Sequence, residues 1–192
     1  MTDFPPLIRI NAILKTLPEN TCGSASACIV FEKLQLTFDP AFFVSKGRDG
    51  NATSGYPISG SSVIGTALAM ASTNLVEVEV YVDFDIEKEY ASLEEYEKPI
   101  VDELKLLNNV TFKSSISIDE IVAKINNNCI PILAFNRNGK EEDGHFSPLR
   151  GLSDDEILLL PLDDAYGSCN CGKDEFISVW WKDKTYILVR KK

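Results

Sequence analysis

Three reactive side-chain types lie along this chain in the order cysteine, histidine, carboxylate. Cys22 lies near the start, His145 about three-quarters of the way along, and Asp163 eighteen residues after the histidine. A thiolate attacks a carbonyl carbon, an imidazole accepts and returns a proton, and a carboxylate holds the imidazole in the productive tautomer. These residues therefore predict cleavage of an amide bond through an acyl-thioester, provided that the fold brings them together.

His145 is the sole histidine of the sequence, and it stands beside Gly144 ahead of an apolar run. Imidazole is the side chain whose unperturbed pKa lies closest to neutral pH. A lone histidine is more often structural than catalytic. The interpretation of His145 as a general base therefore depends on a nucleophile and a carboxylate that can reach it.

Cys22 precedes a run of small and apolar residues over 25–34, whose spacing predicts a helix that begins beside the cysteine. Thr21 is the expected N-cap residue, because threonine side chains accept from the unpaired N–H groups of a first turn. Cys22 then lies in that first turn, where the helix dipole favours a thiolate. The alternative is a core cysteine, since free cysteine is among the most buried residue types.

A β-hairpin is the element expected to bring Asp163 to His145. The pattern predicts a strand that opens at His145, a turn at 153–155 and a returning strand over 156–161. Two antiparallel strands of this length place their outer ends at the same edge of a sheet. Asp163 is therefore the expected orienting carboxylate, with Asp164 as the alternative if the register shifts by one residue.

The remaining cysteine pair and the glycine-rich segment are interpreted as structural. Cys169 and Cys171 are separated by one residue, a spacing that does not match a zinc site, so we expect incidental loop cysteines. The segment 47–62 is polar and rich in glycine, which predicts a long surface loop. The sequence contains no phosphate-binding loop, and we expect neither a cofactor nor a metal.

Length and composition are typical of one globular domain. The chain has 192 residues, of which 44% are hydrophobic and 25% charged. Its net charge of −10 disfavours nucleic acid and anionic membranes as partners, because both require a basic surface.

The apolar runs are too short to span a bilayer, and no signal peptide is recognisable. Five cysteines, an odd number, fit a disulfide framework poorly, so we expect a cytoplasmic protein with reduced thiols. The sequence does not indicate an oligomeric state.

Helical patterns dominate the first part of the chain and strand patterns the last. We expect a single α+β domain with a helical lobe over about residues 7–128 and a sheet lobe over 129–192. Alternation of apolar and acidic residues over 76–84 predicts a half-buried strand. Residues 86–107 predict a charged amphipathic helix that is interrupted near Pro99.

Two short motifs resemble those of a known enzyme family. The segment 22–26, CGSAS, is similar to the Cys-Gly-x-Ala-Ser signature of phytochelatin synthases and related enzymes of the papain superfamily. The segment 144–148, GHFSP, resembles their Gly-His-Phe-Ser-Pro segment, and Asp163 falls where their catalytic aspartate falls. Double-glycine peptidases share a looser version of the same pattern.

This resemblance implies a papain-like fold. In it an N-terminal helical lobe carries Cys22 at a helix N-terminus, and a C-terminal antiparallel sheet carries His145 and Asp163. The resemblance further implies a cysteine peptidase or acyltransferase that acts through an acyl-thioester on glutathione or a γ-glutamyl peptide. The substrate would then be a peptide or a γ-glutamyl small molecule, and the acceptor water, an amine or a thiol.

Thr16 departs from the family pattern, which places a glutamine about six residues before the cysteine to donate to the oxyanion. Asn20 is the nearest amide side chain and the expected replacement, with Asn11 as a further alternative. Loss of one oxyanion donor costs about 3 kcal/mol of transition-state stabilisation. Besides hydrolysis, two alternatives therefore stay open: an acyltransferase of a biosynthetic pathway, and a catalytically inactive papain-like binding module.

Overall fold

A computed structural model describes most of the chain. The described residues are 4–19, 21–47, 62–82, 86, 88, 90–93, 95, 97–114, 117–125, 129–136, 144–152, 156–159, 170–180 and 185–192. Cys22 and His145 fall within these ranges. Asn20, Asp163 and Asp164 lie outside them, as does most of the segment predicted as a glycine-rich loop.

The described helices and strands alternate along the chain. The helices are α1 (Leu7–Leu14), α2 (Cys22–Lys33), α3 (Pro40–Gly47), α4 (Val63–Ala71), α5 (Lys98–Lys105), α6 (Ile118–Ile125) and α7 (Lys173–Glu175), with a 3₁₀ turn at Tyr90–Ser92 and a π-helical turn at Phe176–Trp180. The strands are β1 (Val76–Val82), β2 (Val110–Ser114), β3 (Ile130–Asn136), β4 (Gly144–Leu152), β5 (Glu156–Leu159), β6 (Asn170–Gly172) and β7 (Tyr186–Lys191). Within the described residues, none of these helices combines the length and the apolar character that a membrane crossing requires.

The described strands form one sheet in the order β2-β1-β7-β3-β4-β5-β6. β1 and β2 are parallel, and every other neighbouring pair in this sheet is antiparallel. The prediction of an α+β fold whose C-terminal antiparallel sheet carries His145 is confirmed. β1 and β2 precede residue 128, so the sheet draws strands from both of the expected lobes.

The sheet separates two apolar cores. The helix-side core includes Leu68 of α4 and Phe146 of β4. The opposite core includes Phe135 of β3 and Leu149 of β4. Successive side chains of a strand point to opposite faces of its sheet, so β4 contributes to both cores. His145 therefore belongs to a strand that is covered on both faces.

α2 is enclosed by the rest of the molecule along most of its length. Residues 23–31 are all buried, and the first five of them are glycine, serine or alanine. The helix packs against β4, α3, α4 and α1. Small side chains shorten the distance at which a helix packs against its neighbours, which is how one helix fits among so many elements.

Pro99 lies in the first turn of α5 and does not interrupt a longer helix. The prediction of one helix over 86–107 is therefore wrong: the helix begins at Lys98 and is preceded by the separate 3₁₀ turn Tyr90–Ser92. Proline suits a first turn because its φ is already helical and its missing N–H would have no partner within the helix there. Two further helices, α1 and α3, have no counterpart among the predicted elements.

Gly65 allows α4 to begin close against the end of α3. A Cβ at this position would overlap the carbonyl oxygen of Gly47 and lie 2.8 Å from Ser62 Oγ, the atom that caps α4 by accepting from the Gly65 N–H. We expect Gly65→Ala to lower the free energy of unfolding by about 1–3 kcal/mol, because the backbones of two packed helices must separate. Urea denaturation monitored by circular dichroism measures this loss.

Gly172→Ala is the matched control for that variant. No atom of the described residues lies within 4 Å of a Cβ built at Gly172, so this substitution should leave stability nearly unchanged. Equal denaturation midpoints for the two variants would contradict the account of the α3–α4 contact.

Candidate active site

Cys22 is the first residue of α2, as predicted, and its side chain is half-buried against the helix-side core. The peptide dipoles of a helix sum to a partial positive charge at its N-terminus, which favours a thiolate over a thiol. Cys22 therefore combines partial solvent access with a location that stabilises the nucleophilic form of sulfur.

Thr21 occupies the N-cap position of α2, but its side chain does not cap the helix. The hydroxyl donates instead to the carbonyl of Pro18, at 2.6 Å. The backbone of Thr21, at φ −114° and ψ 41°, departs from the extended conformation in which a side-chain oxygen reaches the first-turn N–H groups. The expectation of a threonine cap is therefore wrong, and the hydroxyl fixes the approach to the helix.

His145 is the second residue of β4 and is buried, with 6% of its surface exposed. It pairs in register with Phe135 of β3, and the two rings meet edge to face with centroids 5.6 Å apart. Phe135 in turn packs against Phe176, at 5.3 Å between centroids. The imidazole thus packs against Phe135, and Phe135 and Phe176 together form an aromatic wall.

α2 and β4 pack against each other, and contacts at their far ends indicate that they run in the same direction, with Cys22 and His145 together at the other end of the pair. Lys33, the last residue of α2, lines the same cavity as Arg150 near the end of β4. The end of β7 also contacts the end of the helix, through a hydrogen bond of 3.3 Å from Lys191 Nζ. From Lys33 back to the cysteine the helix rises about 16 Å. From Arg150 back to the histidine the strand spans about 17 Å.

The two reactive groups lie on different faces of the sheet. Phe146 points into the helix-side core, so the imidazole of the preceding residue, His145, lies on the face that carries Phe135. Cys22 packs against the helix-side core. A meeting of thiol and imidazole therefore requires approach around the first residues of β4, where the strand begins.

The expected carboxylates and amide lie outside the described residues. The described part of β5 ends at Leu159, so Asp163 and Asp164 lie beyond it. Asn20 lies between the described segments 4–19 and 21–47. Cys171 lies in β6 and Cys169 outside the described residues. The structure thus places the proposed nucleophile and base, while the third catalytic residue and the oxyanion donor stay predictions.

Thr16 stands where the enzymes with similar motifs have a glutamine, and its hydroxyl is engaged elsewhere in this structure. Thr16 is exposed in the turn that follows α1, and its hydroxyl donates to the carbonyl of Ile13 at 2.7 Å. Asn11, the further alternative donor, is an exposed residue of α1. The Thr16 hydroxyl is thus engaged within its own turn, and Asn20 stays the expected amide donor.

Two other thiols of the described residues are structural. Cys28 is completely buried in α2, and burial raises the pKa of its thiol to about 12. Cys129 is 9% exposed, and burial likewise raises its pKa above the usual value. A raised pKa leaves very little thiolate at neutral pH, and the thiolate is the reactive form.

The aromatic wall is the part of the site that sequence reasoning missed. Phe135 falls in a strand that the pattern predicts correctly, and Phe176 falls in the closing segment of the chain. What the pattern does not supply is the register that sets Phe135 opposite His145, because the two residues come from different strands whose pairing depends on tertiary contacts.

The comparisons with known proteins bear on the fold. The sequence matches no family model and no curated protein. The structure is similar to the peptidase domain of Streptococcus ComA, a bifunctional ABC transporter involved in a quorum-sensing pathway, with a TM-score of 0.53 at 13% identity over 91% of this chain and 94% of that one. The chain has a papain-like cysteine peptidase fold. At this level of identity the similarity concerns the fold alone, and the likeness to phytochelatin synthases gains no support from it.

We expect iodoacetamide to alkylate Cys22 at least about tenfold faster than Cys28 or Cys129 at neutral pH. The thiolate form of the two buried thiols is suppressed, whereas Cys22 is half-buried at a helix N-terminus. Brief alkylation of the folded protein, followed by peptide mass mapping, measures the three rates. The Cys22→Ser variant is the control that assigns the fast phase. Equal labelling of all five cysteines would contradict the assignment of Cys22 as the reactive thiol.

Proposed function

We propose that this protein is a papain-like cysteine hydrolase that cleaves an amide bond, with Cys22 as the nucleophile and His145 as the general base. The observation that supports the proposal most strongly is the parallel packing of α2 and β4. From this packing we infer that the half-buried, first-turn cysteine lies at the same end as the sole histidine of the chain, in a fold similar to that of a peptidase domain.

The proposed reaction has two halves. In the first, Cys22 Sγ forms a bond to the substrate carbonyl carbon while the thiol proton passes to His145. The carbon–nitrogen bond then breaks, and the imidazolium returns the proton to the leaving amine. In the second half, water attacks the thioester with the imidazole as base, and the products are a carboxylic acid and the free thiol.

Asp163 is proposed to orient the imidazole, and the register of the described hairpin supports it over Asp164. Leu149 of β4 pairs with Leu159 of β5. His145 stands four residues before Leu149, and Asp163 stands four residues after Leu159. If the antiparallel pairing continues in this register, Asp163 comes opposite His145 and Asp164 falls on the other face.

The oxyanion is proposed to form at the N-terminus of α2, whose dipole favours negative charge. The backbone N–H of Cys22 is the proposed first donor and the Asn20 amide the second. Because Thr16 is exposed and its hydroxyl donates to Ile13, the side chain that replaces the family's glutamine does not serve this role in the described conformation.

A peptide is the proposed substrate, since the structurally similar domain is a peptidase. The finer proposal, which rests on the motif resemblance at 22–26 and 144–148, is that the acyl group is γ-glutamyl and that an amine or a thiol replaces water as the acceptor. Transfer and hydrolysis share the acyl-thioester on Cys22, so they differ only in the second half of the reaction.

A second candidate function is a binding module that retains the papain-like fold without turnover. The observation that favours it is Thr16, which leaves the site without the family's side-chain oxyanion donor. Such a protein would bind peptide at the candidate active site but would accumulate no acyl-enzyme.

We expect Cys22→Ser and His145→Gln to abolish turnover, because each removes a group that forms or breaks bonds. Asp163→Asn should lower kcat/KM by about a hundredfold or more, since general-base catalysis depends on the imidazole tautomer that the carboxylate selects. Asp164→Asn is the matched control and should retain nearly full activity. Equal losses at positions 163 and 164, or a loss at 164 alone, would contradict the register argument.

We expect a mass increase on Cys22 when the protein is incubated with short peptides and with glutathione. Intact mass spectrometry of rapidly quenched reactions identifies the acyl group from the added mass, and Cys22→Ala serves as the blank. A γ-glutamyl increment would support the finer proposal, and a peptidyl increment would support a general peptidase. A protein that binds peptide with no adduct and no turnover would contradict both and favour the binding module.

A further inference from the structure

A cavity of about 330 Å³ opens at the end of α2 and β4 opposite to Cys22 and His145. Small-molecule sites in proteins typically enclose about 300–1,000 Å³. Much of the lining is apolar and is drawn from five parts of the chain: Phe4, Leu34, Ile125, Ile130, Pro131 and Leu149. The cavity therefore offers an apolar interior of ligand size at a place that the proposed reaction does not use.

Arg150 lines this cavity from a β-bulge. Leu149 pairs with Leu159, and Gly151 pairs with the adjacent Leu158, so Arg150 is the extra residue on β4. A bulge bends its strand and redirects the side chain of the inserted residue. Here the redirected side chain is an exposed guanidinium at the rim of an apolar cavity.

The charge of Arg150 is unpaired among the residues that the structure describes, where it makes neither an ion pair nor a side-chain hydrogen bond. An unpaired guanidinium is unusual in a chain with 29 acidic and 19 basic residues, because the carboxylates outnumber the basic side chains. Several other cations have carboxylate partners, such as Arg9 with Glu32 and Arg190 with Glu77. An unpaired guanidinium beside apolar surface is suited to a ligand that brings its own anion.

Lys33 adds a second positive charge to the same cavity. Its ammonium lies 3.6 Å from the centroid of the Phe4 ring, which also lines the cavity. A cation over an aromatic face is attracted to the ring and is held in a defined place. Lys33 and Arg150 thus line the same cavity, next to buried apolar side chains.

We propose that this cavity binds a small apolar monocarboxylate, with the acyl chain in the apolar lining and the carboxylate at Arg150. A guanidinium donates two parallel hydrogen bonds to the oxygens of a carboxylate, which gives the site its selectivity for this head group. The apolar lining selects for a hydrocarbon tail and against a free inorganic anion.

The proposed ligand site and the candidate active site share α2 and β4 but lie at opposite ends of them. Occupancy of the cavity therefore does not require Cys22, and the two proposals fail independently. A ligand in this cavity would contact both α2 and β4, the two elements that position the nucleophile and the base.

Octanoate is the probe, and isothermal titration calorimetry of the full chain at neutral pH and low salt is the measurement. We expect saturable binding of one octanoate, and at least about tenfold weaker binding by Arg150→Gln. Lys15→Gln, which removes an exposed charge outside the cavity lining, is the matched control and should bind like the wild type. Leu34→Trp should abolish binding by filling the cavity.

Two further titrations separate the parts of the ligand. Octanol, which lacks the charge, and acetate, which lacks the tail, should each bind at least about tenfold more weakly than octanoate. Cys22→Ala should bind octanoate as the wild type does. The proposal would be overturned by an absence of saturable binding or by equal binding in Arg150→Gln. Loss of binding in Cys22→Ala would also overturn it, because octanoate would then bind at the candidate active site.

Discussion

The packing of α2 against β4 is the contact on which the candidate site depends. Cys22 opens the helix and His145 lies at the beginning of the strand, so neither residue can approach the other unless the two elements run side by side in the same direction. The small residues at 23–27 make that packing close, because they leave little side-chain bulk between the helix and its neighbours. A bulky substitution there would move the nucleophile without touching the reactive atoms.

The two ends of this pair of elements carry different chemistry. At one end lie a half-buried thiol and a buried imidazole that packs against Phe135. At the other end lie an apolar cavity, an unpaired guanidinium among the described residues, and Lys33 over the Phe4 ring. Because β4 is covered on both faces and α2 is enclosed, the pair is a stiff connection between the two ends.

Local patterns were sufficient to predict the start of α2, the strand that carries His145 and the papain-like fold. Each of these depends on neighbours in sequence: a periodic apolar face, a glycine before a strand, a short motif. Pairings between distant segments could not be predicted in this way, and Phe135 opposite His145 is the clearest case. Thr21 and Pro99 show the same limit at helix starts, since residue type alone does not decide whether a threonine caps or whether a proline begins a helix or interrupts one.

The single histidine makes the central claim directly measurable, because an untagged protein gives one set of imidazole resonances. The measurement is the ¹H–¹⁵N spectrum of His145 in the wild type and in Cys22→Ala. If the thiol and the imidazole are neighbours around the beginning of β4, loss of the sulfur must shift the imidazole resonances along with the amides of the first turn of α2. Unchanged imidazole resonances, with the first-turn amides shifted, would contradict the account and leave a papain-like fold without its catalytic pair.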